Sequence, residues 1–157
     1  MRIGLLAVGR LKSGPIRVLF EDYVRRLKWS LSITEVEERR RLSPPALKER
    51  EGALLLDALE TLNRKSPHPI VIALDERGTA FTSTGFAQRL GSWRDQSLDP
   101  LFIIGGADGL AQPVLDRAGL TLALGAMTWP HLLVRVLLAE QLYRAQSILE
   151  GHPYHRE

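Results

Sequence analysis

The segment Leu101–Leu110 reads Leu-Phe-Ile-Ile-Gly-Gly-Ala-Asp-Gly-Leu, and it narrows the possible folds more than any other stretch of the chain. Four large apolar residues without alternation describe a strand buried on both faces, as in a parallel sheet covered by helices on each side. Gly105 and Gly106 follow at once, so the strand delivers its carboxyl end into a tight turn. In open α/β sheets ligands bind beyond such ends, and glycines let a ligand approach the backbone. Gly105, Gly106 and Gly109 are spaced G-G-x-x-G, which is not the dinucleotide fingerprint.

The rest of the chain supplies what such a strand needs. Met1–Gly9 reads as a first strand rather than a leader, and Pro15 to about Lys28 as a helix with Ile16, Leu19, Phe20, Tyr23, Val24 and Leu27 on one buried stripe. The stretch 33–38 alternates as a polar edge strand, Arg39–Pro45 as a charged loop, and Ala46–Leu62 as a second helix, with Asn63–Pro69 breaking it. Pro69–Asp75 is a further buried strand, ending in the turn Asp75-Glu76-Arg77-Gly78. A helix capped near Thr82 then carries Phe86, Leu90 and Trp93. After the strand at 101–106, a short helix spans Gly109–Ala118 and a strand spans 120–124. A long helix runs from about His131 to Leu149. The reading is an α/β chain of one domain, with a mainly parallel sheet of about five or six strands flanked by helices.

Composition closes off several classes. With 157 residues, 45% hydrophobic and no cysteine, the chain is of ordinary domain size and has neither a disulfide scaffold nor a thiolate zinc site; a reducing, cytoplasmic location fits. No apolar run reaches the roughly 20 residues of a membrane span. Residues 1–65 hold 14 Lys and Arg against 9 Asp and Glu, whereas residues 66–157 hold 7 against 9, so the basic character lies in the N-terminal part. Its clusters, among them Arg25, Arg26 and Lys28 and the triplet Arg39–Arg41, suit either a polyanion or solvated helix faces.

In a parallel sheet with right-handed crossovers, the loops Leu74–Gly78, Gly105–Gly109 and Gly125–Pro130 emerge along one edge and can build one pocket. Gly105, Gly106 and Gly125 expose backbone groups, while Leu74, Met127 and Trp129 offer apolar walls for an adenine-bearing ligand, unless they serve as core. No Ser-His-Asp elbow, P-loop or His-Glu-x-x-His motif is present. His68, between prolines, reads as a loop residue. His152 and His155 lack companions for a metal site. Tyr154 and Arg156 suit a base and a phosphate, with a frayed terminus as the alternative.

The chain resembles the small bacterial ribosomal large-subunit pseudouridine N3-methyltransferases of the SPOUT class, the RlmH family. The matching pieces are Ala7-Val8-Gly9, Leu74-Asp75-x-x-Gly78, Ile104-Gly105-Gly106-x-x-Gly109-Leu110, Thr128-x-Pro130-His131 with Val134-Arg135-Val136, Glu140–Ala145, and His152-Pro153-Tyr154-His155-Arg156. The resemblance implies an α/β fold with a C-terminal trefoil knot, a homodimer, and S-adenosyl-L-methionine bound at Leu74, Gly105, Gly106 and the loop Gly125, Ala126, Met127, Thr128, Trp129 and Pro130. It implies methyl transfer to N3 of a pseudouridine in 23S rRNA within the ribosome, with no metal and no membrane. His155, then His131, are the residues expected to take or orient the proton. Arg135, Tyr154 and Arg156 are expected to hold base or phosphate, with helix capping or dimer contact as the alternative for His131 and Arg135. The loop departs from many relatives, which carry smaller or leucine-type residues before Pro130. A Rossmann-type oxidoreductase or transferase and a non-enzymatic RNA-binding module are the competing readings. The first suffers from the wrong spacing after the first strand, Gly9-Arg10-Leu11-Lys12-Ser13-Gly14.

Overall fold

The computed structural model describes residues 1–65 and 68–156; Ser66 and Pro67, within the expected break at Asn63–Pro69, and the terminal Glu157 lie outside the described residues. Strands and helices alternate: β1 (Arg2–Val8), α1 (Pro15–Arg26), β2 (Ser30–Val36), α2 (Pro44–Asn63), β3 (Pro69–Ala80), α3 (Ser83–Asp95), β4 (Asp99–Ile104), α4 (Gln112–Leu115), β5 (Leu120–Ala123) and α5 (His131–Leu149). The strands form one five-stranded sheet of order β2-β1-β4-β3-β5, and every pairing is parallel. β2 pairs with β1 alone and is an edge, which accounts for its polar sequence.

The unbroken apolar runs are resolved into two layers. Ile3, Leu5, Ala7, Ile72, Phe102 and Ile104 face a core shared with α1, α3 and α5, while Leu6, Val8, Ala73, Leu101 and Ile103 face one shared with α2, Leu110 and Val114. Successive side chains point to opposite faces, so a strand buried on both sides must be apolar at every position. α5 packs against both α1 and α3. Thr82 caps α3, its hydroxyl accepting from the Gly85 N–H at 3.0 Å.

Three expectations change. β3 does not stop at Asp75: Leu74 and Thr79 both pair with Leu122, so 75–78 bulge outward and the strand resumes to Ala80. The helix expected over Gly109–Ala118 is a single turn, because Gly109 is first used to close a turn onto Gly106, its N–H donating to the Gly106 carbonyl at 3.1 Å. Leu19 is exposed rather than in the α1 stripe, which Phe20 anchors instead. Among the described residues no helix is long and apolar enough to cross a membrane.

Candidate active site

A pocket of about 500 Å³ opens at the β3 bulge and beyond the ends of β4 and β5. Leu74 to Arg77 form one bank, Gly105 to Gly109 another, and Leu122, Leu124, Gly125, Met127, Thr128 and Trp129 a third, with His131, Val134 and Lys48 completing it. The size is ordinary for a small-molecule site, and the mixture of apolar walls with a few polar groups is what such sites use.

At the floor, backbone demands glycine at 105, whereas at 106 a side chain would have to displace Glu51. A Cβ on Gly105 would lie 2.8 Å from the Gly109 carbonyl carbon, and one on Gly106 would lie 2.5 Å from a Glu51 carboxylate oxygen. Gly125 has φ of 109°, a conformation that side-chain-bearing residues rarely adopt. The third loop is fastened to the first, since the Thr128 hydroxyl donates to Glu76 Oε2 at 2.9 Å.

Charge is unevenly settled around the pocket. Arg77 engages Asp75 through its backbone N–H, Nε and Nη2 at 3.0, 2.9 and 3.1 Å, and these bonds hold the Asp75 carboxyl below its usual range against the opposing effect of burial. Glu51 lies under the Gly106 turn with no hydrogen bond or ion pair among the described residues; burial, then Asp108, pushes its pKa up. His131 is held below its usual range by burial and secondarily by Arg135, so its ring is neutral near pH 7.

The expected site residues divide accordingly. Leu74, Gly105, Gly106, Gly125, Met127, Thr128, Trp129 and His131 line the pocket, while Ala126 and Pro130 belong to the same loop without lining it. Arg135 does not face a ligand. It is 1% exposed, pairs with Glu35 through Nη1, and donates from Nη2 to the Val8 and Gly9 carbonyls at 2.8 and 2.7 Å. Within the chain the guanidinium ties α5 to the ends of β1 and β2, away from the pocket lining.

The tail is packed, not frayed, but it packs elsewhere. Tyr154 meets Tyr143 edge-on at 4.7 Å, its hydroxyl donates to Glu140 at 3.2 Å, and the Arg144 guanidinium lies 4.9 Å over its ring. Burial raises the Tyr154 phenol pKa, with Tyr23 and Glu140 adding to it. His155 Nδ1 is 3.4 Å from Arg144, and Arg156 is exposed. None of Tyr154, His155 and Arg156 lines the pocket of its own chain, and Arg144, which His155 meets, lies ten residues along α5 from the lining residue Val134, about 15 Å at the helical rise. Lys48, Glu51 and Asp108 were missed by sequence reasoning; on a charged helix or loop they look like any solvated group. Among the described residues no group of three or more His, Cys, Asp and Glu is placed to hold a metal ion.

An all-parallel α/β sheet with a glycine-floored pocket built by three strand-end loops defines a small-ligand-binding α/β protein. A family profile described as "Predicted SPOUT methyltransferase" matches residues 1–155. Proteins named ribosomal RNA large subunit methyltransferase H are similar over almost the whole chain: that of Rhodospirillum centenum is 57% identical and that of Paramagnetospirillum magneticum 52% identical, each match covering 99% of both chains. The chain belongs to the SPOUT methyltransferase family, within its large-subunit methyltransferase H (RlmH) branch. Solved structures share the fold at low identity. A probable methylase family protein from Haemophilus influenzae superposes with TM-score 0.58 at 13% identity, covering 99% of this chain and 70% of that one. The SpoU methyltransferase AviRb from Streptomyces viridochromogenes, in complex with AdoMet, gives 0.52 at 14% identity, covering 92% and 58%.

Proposed function

We propose that the protein is an S-adenosyl-L-methionine-dependent methyltransferase of the cytoplasm that methylates N3 of a pseudouridine in 23S rRNA, acting on the ribosome as a homodimer. The observation that carries this reading is the three-loop pocket in a chain so similar to large-subunit rRNA methyltransferases along its full length. The residues suit the cofactor: glycine backbone at Gly105, Gly106 and Gly125 for close approach, and Leu74, Ile104, Leu122, Leu124 and Val134 as apolar walls. When bound, the cofactor supplies an electrophilic methyl group on a sulfonium.

The chain must then orient the base and accept the N3 proton. His131, neutral and in the pocket, has a nitrogen lone pair free for a proton. The tail enters through a second copy. Since Tyr154 and His155 pack back on the C-terminal half of α5, and neither they nor Arg156 line the pocket of their own chain, a symmetric pair can present one chain's tail to the other's site. Exposed Val18, Leu19 and Ile33 supply apolar surface for that pairing. The trefoil threading of the C-terminal chain belongs to the same reading.

The test is calorimetric titration with S-adenosyl-L-methionine of the parent and of Gly106→Trp, with transfer of labelled methyl from the cofactor to ribosomes and mapping of the labelled nucleotide. Binding by the parent alone, with label on a single 23S pseudouridine, is expected. A folded parent that neither binds the cofactor nor labels ribosomes would overturn the reading.

A further inference from the structure

The chain has three tryptophans, and two are accounted for by packing. Trp93 is buried in the α1–α3–α5 core and Trp29 packs against its margin. Among the described residues Trp129 belongs to neither core cluster and meets no other aromatic ring, yet it lines the pocket and is 41% exposed. Leaving an indole in water forgoes the gain of burying a large apolar surface.

The backbone on both sides of Trp129 is nevertheless fixed. Thr128 is bonded to Glu76 across the pocket, and Pro130 is the cap from which α5 starts. A pinned backbone carrying an exposed indole at a pocket mouth is a presented side chain, not a loose one. The interior walls do not need it, because Ile104 and Leu122 are already buried and apolar behind the glycine turns.

Lys48 lines the same pocket from α2. Its charge is felt by Asp75, but Asp75 is occupied by Arg77, and among the described residues the Lys48 ammonium has no ion pair or hydrogen bond. A half-exposed indole and an unpaired ammonium lining one pocket match a nucleotide, the indole for the base and the ammonium for the phosphate.

We infer that Trp129 is the stacking platform for a nucleobase of the RNA substrate at the pocket mouth, with Lys48 neutralising a phosphate of the same strand. The inference rests on the rRNA methyltransferase reading and adds to it the residues that seat the RNA. The same chemistry could come from the cofactor's adenine, so the test separates the two sources.

Trp129→Ala, Trp129→Phe, Lys48→Ala and the parent are compared for S-adenosyl-L-methionine affinity by calorimetry, for co-sedimentation with ribosomes, and for KM against kcat in methyl transfer, with folding checked by circular dichroism. Trp129→Ala is expected to weaken ribosome binding and raise KM about tenfold or more while cofactor affinity stays within about twofold, and Trp129→Phe restores most of the loss. Lys48→Ala weakens ribosome binding and lowers its salt dependence by about one phosphate. Loss of cofactor affinity in Trp129→Ala with ribosome binding intact assigns the indole to adenine and overturns the inference. So does a folded Trp129→Ala that matches the parent in every arm. A parent that fails to bind cofactor and to methylate ribosomes defeats the underlying reading instead, and is recognised before any variant is compared.

Discussion

Two carboxylates, Glu35 at the sheet edge and buried Glu51, answer to pH with opposite sign. Burial disfavours ionised Glu35, but the Leu11 N–H and the Arg135 guanidinium together outweigh it and hold its pKa below the ordinary 4.5. Its contribution to stability is therefore complete above about pH 4.5 and lost as acid passes through the lower folded value. Glu51 has the reverse balance, its pKa raised by burial and by Asp108. Its ionisation penalises the fold as pH rises through the raised value, and costs nothing below the unfolded one. Glu51→Gln is expected to raise stability by about 1 kcal/mol at pH 7, with the gain gone at pH 4, in denaturant melts at the two pH values. The Arg135–Glu35 pair predicts an asymmetry. Glu35→Ala strands a guanidinium that is 1% exposed and should cost about 3 kcal/mol, whereas Arg135→Met leaves a carboxylate that water can reach and should cost less. Equal losses in the two variants would contradict this account.

At the scale of elements, faces were legible and neighbours were not. Continuous apolar runs told that the strands of Ile70–Leu74 and Leu101–Ile104 are covered on both sides, and the break after Pro130 placed the start of α5 at His131. Nothing in a run of valines and leucines states which strand lies beside it, so the insertion of β4 between β1 and β3 had to come from the structure. Asp75–Gly78 read as a turn because its side chains are polar, yet the strand survives the bulge and resumes against β5. Charged residues on helices read as outward, which hid the entry of Lys48 and Glu51 into the site, and nothing local told that Arg135, read as a contact for base, phosphate or a second chain, is buried against Glu35. The three pocket loops were visible because glycines at strand ends are written locally; their depth and electrostatics depend on partners far away in sequence. Gly78 carries a prediction of this kind. A Cβ there would lie 2.7 Å from the Thr121 carbonyl carbon and oxygen, and backbone cannot swing aside. Gly78→Ala should cost about 1–3 kcal/mol and weaken ligand binding by loosening the β3–β5 seam, read by thermal melts and calorimetry.

For the whole molecule, charge and shape point to different surfaces. Much of the basic N-terminal character is spent locally: Arg25 and Arg26 pair with Asp22, Arg10 and Arg39 with Glu37, and Arg40 and Arg50 with Glu38. The apolar surface at α1 and β2 remains, with Val18 64% exposed. Val18→Asp is expected to shift sedimentation from dimer to monomer, keep cofactor binding and abolish methyl transfer; a fully active monomer would refute the shared-site arrangement. One further consequence follows from the strand order. β1 gains its inner neighbour only when residue 104 has been made, and the carbonyls at its end gain their donors only with Arg135 on the final helix. An N-terminal fragment leaving the ribosomal tunnel therefore has a sheet with a missing middle and an untied first loop. Pairings so distant in sequence slow folding, and this chain should acquire its structure in one late, cooperative step after synthesis rather than in stages during it.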